Sequence, residues 1–437
     1  MSIVLSILIM LLILTVLVVV HEWGHYISAR IFGVKVNEFS IFMGPKIYSR
    51  VGKKTGTVFS IRCLPLGGFC AMEGEETTEN TEGAFCNKPW WQRTIILLSG
   101  VFMNIILAIV VVTTIFMIYG YETNKVSYVN EFMPVHVMNL EEGDRITDFN
   151  GYSVLNPTDY NLVNYAVNLE DSVFEVEKKN GDTFVYKFDR NIDVENKKCD
   201  ITIYSVDDDD KEKLIGKYYS SWDTDLLQIT NEISDNNSYT DYRFYKNENG
   251  KYCGEKSIKN KEGVVISTQS IYTEQQVVSI LETYSPYKFG FSFSAEKGNF
   301  FETIGNAFKY NVSLVKSVFN SLKWLVTGRL GMDAMSGPIG LTTVVDDVVT
   351  ADASIWSRVI SLLNMAALIS ANLAAFNVLP IPGLDGGKLI FIVIELIRRG
   401  KKVPPEKEAI VSLVFLALLI LFSIFIAGND ILRIIRS

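Results

Sequence analysis

The chain has 437 residues, of which 48% are hydrophobic and 21% charged, with a mean hydropathy of +0.20; this is too apolar for an ordinary soluble protein of this length, and it suggests membrane spans joined to a soluble domain. The charges segregate: Glu122 to Lys297 hold 32 acidic and 19 basic residues, a net of −13, which leaves +5 for the remainder of a chain whose total is −8. An acidic middle argues against nucleic-acid binding, which needs a basic face.

From the N-terminus, Ile3 to Val20 is an apolar run broken only by Ser6 and Thr15. It is long enough to cross a bilayer, the more so if the helix continues to about Ile31. A cleaved signal peptide is the competing reading; it lacks a charged leading region and a small-residue cleavage site, and His21-Glu22 follow the run at once. A second span is expected from about Thr94 to Tyr119, introduced by the interfacial pair Trp90 and Trp91.

Residues from about Glu122 to Ser292 read as mostly β. Phe174 to Val176 and Phe184 to Phe188 alternate as strands do, and Leu140 to Gly151 reads as turn, strand and turn. The stretch from about Asn191 to Glu262 is polar, and its acidic run Asp207 to Asp210 reads as a solvated loop, because the spacing of an EF-hand is absent. A third apolar stretch covers about Val359 to Leu379, is interrupted by Pro380, Ile381, Pro382 and Gly383, and resumes from Leu389 to Ile397. A fourth runs from about Ala409 to Ala427, with Asn429 and Asp430 directly after it.

Together these elements predict a polytopic α-helical membrane protein with about four transmembrane helices and an inserted mostly-β domain. The expected segments are 1–31 (first span), 32–93 (loop), 94–120 (second span), 121–298 (β domain), 299–355 (amphipathic, interfacial), 356–398 (third span and its broken continuation) and 399–437 (fourth span and tail). Nine Lys/Arg between Arg30 and Arg93, and Arg398, Arg399, Lys401, Lys402 and Lys407 before the fourth span, place both loops in the cytoplasm. The acidic domain and both termini are then outside. Of the five cysteines, none form a CxxC pair, so a zinc ribbon is unsupported. Cys199 and Cys253 share the acidic domain, where a disulfide is open to them in an oxidising compartment; Cys63, Cys70 and Cys86 read as plain thiols.

His21-Glu22-Trp23-Gly24-His25 fits HExxH and uses two of only three histidines in the chain. Residues four apart share a helix face, so both imidazoles reach one metal, and Glu22 beside them can act on a water there as base and then proton shuttle. A catalytic zinc needs a third protein ligand and an open position. His136 lies in the acidic domain, on the wrong side, so an acid is needed. Asp385, in Asn377-Val-Leu-Pro-Ile-Pro-Gly-Leu-Asp-Gly-Gly387, sits where prolines forbid regular helix and glycines permit a sharp path. Such broken backbone is tolerated at membrane depth where it lines a wet cavity. A surface turn with a solvated aspartate is the bland alternative; an HExxH without its third ligand tips the balance to metal.

At these two motifs the sequence resembles the site-2 protease family of intramembrane zinc metalloproteases, in its bacterial regulator-of-sigma-E protease branch, over nearly the whole chain outside about 155–290. HEWGH is similar to the first motif, with Trp23 where Phe is commoner, and 377–387 to the second. Phe39 to Lys46 resembles the FSxGFGP stretch, with Phe42 replacing its first glycine, and Pro65 to Glu75 a membrane-dipping β-loop. Gly100 and Asn104 match GxxxN, Ser336 to Gly340 match SGPxG, and Asn429-Asp430 match a pair after the last span. Leu140 to Gly151 is similar to a PDZ turn, so the external domain is PDZ-like, although Pro134-Val-His-Val-Met and the polar insertion depart from the pattern.

The resemblance implies an endopeptidase with Zn2+ held by His21, His25 and Asp385, with Glu22 as the catalytic base. It implies substrate contacts at Asn372 and Asn377 and, in the β-loop, at Ser60, Arg62, Gly68 and Phe69. The implied substrates are single-span proteins of the bilayer already trimmed by an upstream site-1-type protease: an anti-sigma factor or a remnant signal peptide. A strand edge around Val58 to Cys63 is expected to receive the unwound substrate by β-addition, against the plainer reading of an anchoring hairpin. A non-enzymatic adaptor would favour a broken motif, and a transporter would predict internal repeats; the sequence has neither.

Overall fold

The computed structural model describes residues 2–75, 81, 83–166, 171–207, 209–234, 236, 238–270, 272–331 and 337–436. In chain order the helices are α1 (Ser2–Ile31), α2 (Trp90–Tyr119), α3 (Pro157–Ala166), α4 (Glu274–Thr283), α5 (Phe300–Val326), α6 (Pro338–Thr350), α7 (Ile355–Val378), α8 (Asp385–Ile397) and α9 (Pro405–Arg436). The chain divides into two units, one of Met1–Tyr119 with Asn299–Ser437 and one of Gly120–Gly298.

In the first unit, four helices are long and apolar enough to cross a membrane: Val4–Ile31, Trp90–Tyr119, Ile355–Val378 and Glu406–Ile431. Two hydroxyls on α1 find partners, as hydrocarbon requires: Thr15 Oγ1 donates to the Leu11 carbonyl at 2.7 Å and Ser6 Oγ to Asp346 on α6 at 2.7 Å. Small residues let α1 and α2 approach closely. A Cβ on Gly24 would lie 2.4 Å from the Ser99 carbonyl oxygen, and Ser28 Oγ meets Ser99 Oγ at 2.7 Å. The amphipathic α5 buries Ala307 and Leu314 with Ala108 and Val112 of α2 and Ala367 and Ala371 of α7. Asp430, expected just past the last span, lies within α9; its Oδ2 accepts from the backbone N–H groups of Gly337 and Gly340, 2.9 Å each, and so caps the start of α6. Ser336 of that same motif lies outside the described residues.

Two long strands follow α1, β1 (Val36–Val51) and β2 (Val58–Met72), and form a sheet of their own. Each bends into two arms. Residues 36–41 are matched on one side with 68–72 and on the other with 58–61, and 58–62 are matched again with 46–51. The segment 58–62 is therefore interior, with neighbours on both sides, and the expectation of a free edge around Val58 to Cys63 is corrected: the edges are 46–51 and 68–72. Bulges where β1 and β2 turn back bring the late arm of β2, rather than its start, to the rim of the sheet. Val36, Phe39, Cys70 and Met72 pack with Ala29 of α1, Ile96 and Leu97 of α2 and Ile392 of α8.

The second unit holds β3 (Tyr121–Val129), β4 (Arg145–Phe149), β5 (Tyr152–Ser153), β6 (Asp171–Glu177), β7 (Thr183–Asp193), β8 (Lys198–Val206), β9 (Glu212–Asp223), β10 (Leu226–Ile233), β11 (Ser238–Lys246), β12 (Tyr252–Asn260), β13 (Val265–Gln269) and β14 (Phe291–Glu296). They form one sheet of twelve strands whose path runs from β13 back through β6 to β4, β3 and β14. The polar stretch 191–262 is thus an antiparallel meander. Its polarity reflects the alternation of a half-buried sheet: Cys199, Ile201, Tyr218, Leu227, Ile229, Tyr242 and Phe244 point inward, between outward Lys, Asp and Thr. Asp207 does sit in the connection between β8 and β9, where its side chain accepts from the N–H groups of Asp209 and Lys211; Asp208 lies outside the described residues. All five cysteines are free thiols, Cys199 and Cys253 among them.

Glu38 of β1 fastens the arms of the first sheet. Ser60 Oγ donates to it at 2.6 Å, and Lys46 and Arg62 pair with it at 2.9 Å each. Burial works against its charge, yet these three donors outweigh burial and hold the carboxyl down at about 2. A carboxyl low in the folded chain and near 4.5 in the unfolded one supports the fold fully above that pH and loses the support as pH falls towards about 2. Glu38→Gln is expected to lower stability by roughly 1–3 kcal/mol at neutral pH. The gap to the unaltered chain should close between those two pH values in thermal unfolding. A gap that stays constant across that range contradicts the role given to Glu38.

Candidate metal centre

His21 and His25 stand one turn apart on α1, both buried, with their Nε2 atoms 3.1 Å from each other. Asp385 reaches them from the far end of the chain: its Oδ2 is 3.0 Å from His21 Nε2 and 3.3 Å from His25 Nε2. The segment between α7 and α8 makes this possible. Gly383 adopts φ +99°, open to glycine at little cost, and a Cβ on Gly386 would lie 2.1 Å from the Leu379 carbonyl oxygen, so α8 can start against the end of α7 only with glycine there. Asp385 is the first residue of α8, where the helix N-terminus favours a carboxylate. Arg93 of α2 then ties α8 down through Glu395 at 2.6 Å.

Helix α2 supplies the seat. A Cβ on Gly100 would lie 2.5 Å from His25 Nε2 and 2.7 Å from His21 Nε2, so only glycine leaves room for the two rings. His25 Nδ1–H donates to the Ile96 carbonyl at 2.8 Å, which leaves Nε2 of the neutral ring as a lone pair. Asn104 turns its amide to His21 Nδ1 at 3.2 Å, with Oδ1 buried and without a partner in that rotamer. The flipped amide places Oδ1 on His21 Nδ1–H and satisfies both groups. Both rings are then fixed with Nε2 as electron-pair donor, the tautomer that metal ligation requires.

Two lone pairs and a carboxylate converging in a buried place repel one another unless a cation joins them. Tetrahedral zinc with bonds of about 2.0–2.2 Å spaces its donors about 3.3 Å apart, and the observed separations run from 3.0 to 3.3 Å. The donor set fits zinc. His25 and Asp385 also border a cavity of about 580 Å3 with Glu22, Phe69, Cys70 and Met72. Among the described residues, no protein group bonds the Glu22 carboxylate. Lys388 and Glu75, an ion pair, line the same cavity.

The structure thus brings His21, Glu22, His25, Asp385 and Phe69 to one place. Gly68 adjoins Phe69 on the edge arm, with its α-carbon face against the Ser40 carbonyl. Ser60 and Arg62 do not line this cavity; both are engaged by Glu38, with the Arg62 guanidinium 5.0 Å from the centre of the Phe69 ring. Asn377 is buried in the last turn of α7 and Asn372, five residues earlier, is half-buried with its Oδ1 lacking a partner among the described residues, and neither borders the cavity. His136 belongs to the second unit. The partners of the histidines, Ile96, Gly100 and Asn104, were not foreseen as such. The spacing of four between Gly100 and Asn104 was the available signal, since it sets both on one face of α2.

The model of peptidase family M50 matches residues 9–422 of the chain. Over an alignment of 501 positions the chain is 25% identical to the regulator of sigma-W protease RasP of Bacillus subtilis, covering 96% of each. It is 28% identical to the zinc metalloprotease RasP of Bacillus licheniformis, over 97% of this chain and 98% of the relative. It is 26% identical to the regulator of sigma E protease of Haemophilus influenzae, over 96% and 97%.

Asn104→Ala is expected to weaken zinc binding by about 10–100-fold, read by competition with a chromophoric chelator on the purified chain. An affinity equal to that of the unaltered chain would show that Asn104 does not orient His21.

Proposed function

Since the chain belongs to peptidase family M50 and is a multi-pass zinc metalloprotease of the cell membrane, we propose that it cuts single-span membrane proteins within their transmembrane segments, in regulated intramembrane proteolysis. The observation that carries the reading is the convergence of His21, His25 and Asp385 beside Glu22, on or next to helices apolar enough to span the bilayer. His21, His25 and Asp385 would hold the metal. Bound zinc supplies a Lewis acid that polarises the scissile carbonyl and makes water acidic enough to be activated near neutral pH.

Glu22 takes the proton of the attacking water and later delivers it to the leaving amine. Its carboxylate is available for this because, among the described residues, no protein group bonds it. A transmembrane helix cannot be cut while its carbonyls are locked in helical bonds, so the substrate must be held extended. The edge arm 68–72, paired on one side with 36–41 and bordering the cavity through Phe69, Cys70, Ala71 and Met72, offers its outer backbone groups for strand addition. Gly68 and Phe69 belong to that arm, whereas Ser60 and Arg62 serve it by locking Glu38. Asn372 and Asn377 are proposed to hold the unwound peptide or its developing oxyanion.

Relatives that bear the names of sigma-W and sigma E regulators support an anti-sigma factor as substrate, with a remnant signal peptide as the other chemically equivalent choice. An upstream site-1-type protease would first remove the bulky external part. The basic loops support an orientation with the cavity toward the cytoplasm and the PDZ-like domain outside, where that domain would act as a size filter or bind the trimmed end.

Glu22→Gln is expected to lower cleavage of a membrane reporter by about 10²–10⁴-fold while the purified chain keeps its zinc. Cleavage by the unaltered chain should stop on chelation and return with added zinc. Reporter cleavage by the Gln variant at the original rate would exclude Glu22 as the base.

A further inference from the structure

By helical spacing, Val19, Trp23 and Tyr26 lie on the face of α1 opposite to His21 and His25. There, α1, the inner arms of the sheet and its edge arm 46–51 border an open groove of about 850 Å3. Its floor is apolar and aromatic. Trp23 packs on Tyr26 and Phe39 with ring centres 5.2 and 5.7 Å away, and Tyr26 on Phe59 at 5.6 Å. No residue of this groove borders the cavity that holds Glu22.

One end of the groove is cationic. Arg50, Lys53 and Lys54 line it, from the end of β1 and the turn after it, and no acidic residue does. That turn is closed by backbone bonds from Gly52 N–H to the Thr57 carbonyl and from Gly56 N–H to the Gly52 carbonyl. Among the described residues none of these three side chains has an ion pair, in contrast to Lys46 and Arg62 of the same sheet, which are both taken by Glu38. Unpaired cations at the head of an apolar channel want an anion with a hydrocarbon tail.

The channel opens along a helix that is itself apolar enough to cross the bilayer, and Trp23 keeps 40% of its surface exposed there. Val19 to Tyr26 covers about 10 Å of helix, room for a good part of an acyl chain. We infer that this groove is a binding site for an anionic phospholipid, with the chain over Val19, Trp23 and Tyr26 and the phosphate on Arg50, Lys53 and Lys54. Arg contributes a planar fork suited to phosphate oxygens, and the lysines contribute point charge on flexible stems. An apolar protein segment would fill the floor but would leave the cations unmatched unless it carried acids at that one end.

The test uses the full chain in lipid nanodiscs doped with brominated-acyl phosphatidylglycerol or brominated-acyl phosphatidylcholine, which quench tryptophan on contact. The contribution of Trp23 is isolated as the difference from Trp23→Phe. Phosphatidylglycerol is expected to reach half-maximal quenching of Trp23 at a membrane fraction roughly tenfold or more below that of phosphatidylcholine, given the attraction of three cations to anionic lipid. The preference should vanish in Arg50→Gln/Lys53→Gln/Lys54→Gln. Should that variant fail to fold, salt decides on the unaltered chain, because the preference of a charge-held site must shrink as ionic strength rises. Equal quenching by the two lipids, a preference indifferent to both the substitutions and salt, or native mass spectra in which a polypeptide rather than a lipid accompanies the chain would each overturn the inference.

Discussion

The first unit is organised around a meeting that is unfavourable by itself: two imidazole lone pairs and a carboxylate held within about 3 Å of one another, 364 positions apart in the chain. Nothing local brings them together. Each is held by a separate device of packing. The rings sit in the hollow that Gly100 leaves on α2 and are steered by Ile96 and Asn104; the carboxylate is aimed by a glycine-dependent return of the chain and anchored through Arg93 and Glu395. In an apolar setting such a cluster needs positive charge among its donors, so the same constraints that pack the helices also support the metal site proposed above.

The sheet beside α1 is used on both of its sides. Its interior arms are fastened by Glu38, a single carboxylate with three donors. One edge, 68–72, borders the cavity with Glu22, while the inner arms and the other edge, 46–51, border a separate groove with α1. Under the proposed function the arm 68–72, which borders the same cavity as Glu22, is the backbone device that would hold a substrate extended. The groove on the opposite side joins an aromatic floor to cations that have no ion pair among the described residues, the combination on which the inferred lipid site rests.

Much of the membrane part was legible from the chain because hydrocarbon imposes a simple rule, about twenty apolar residues for each span. All four spans were expected within a few residues of their helices. The motif around His21 was legible for a different reason, because a spacing of four on a helix fixes a shared face without any tertiary information. Side-chain polarity says little about how the backbone pairs. The segment 191–262 looked like a polar insertion, yet a sheet wetted on one face carries charge at every second position. Likewise, the segment around Val58 looked like an edge, because pairing depends on a bend in β1 and β2 that no residue pattern announces.

The sequence by itself therefore determined the spans, the presence of a β-rich acidic region, the two-histidine motif with its glutamate, and the family, all of which rest on local periodicity or short motifs. Only the tertiary structure decided that Asp385 stands against both imidazoles, that Gly100 and Asn104 form their seat, which arm of the sheet is an edge, and that Arg50, Lys53 and Lys54 crown an apolar groove. Those are relations between surfaces far apart along the chain. They are set by which close approaches the small residues permit and which buried charges find partners, and neither is written in any single stretch of residues.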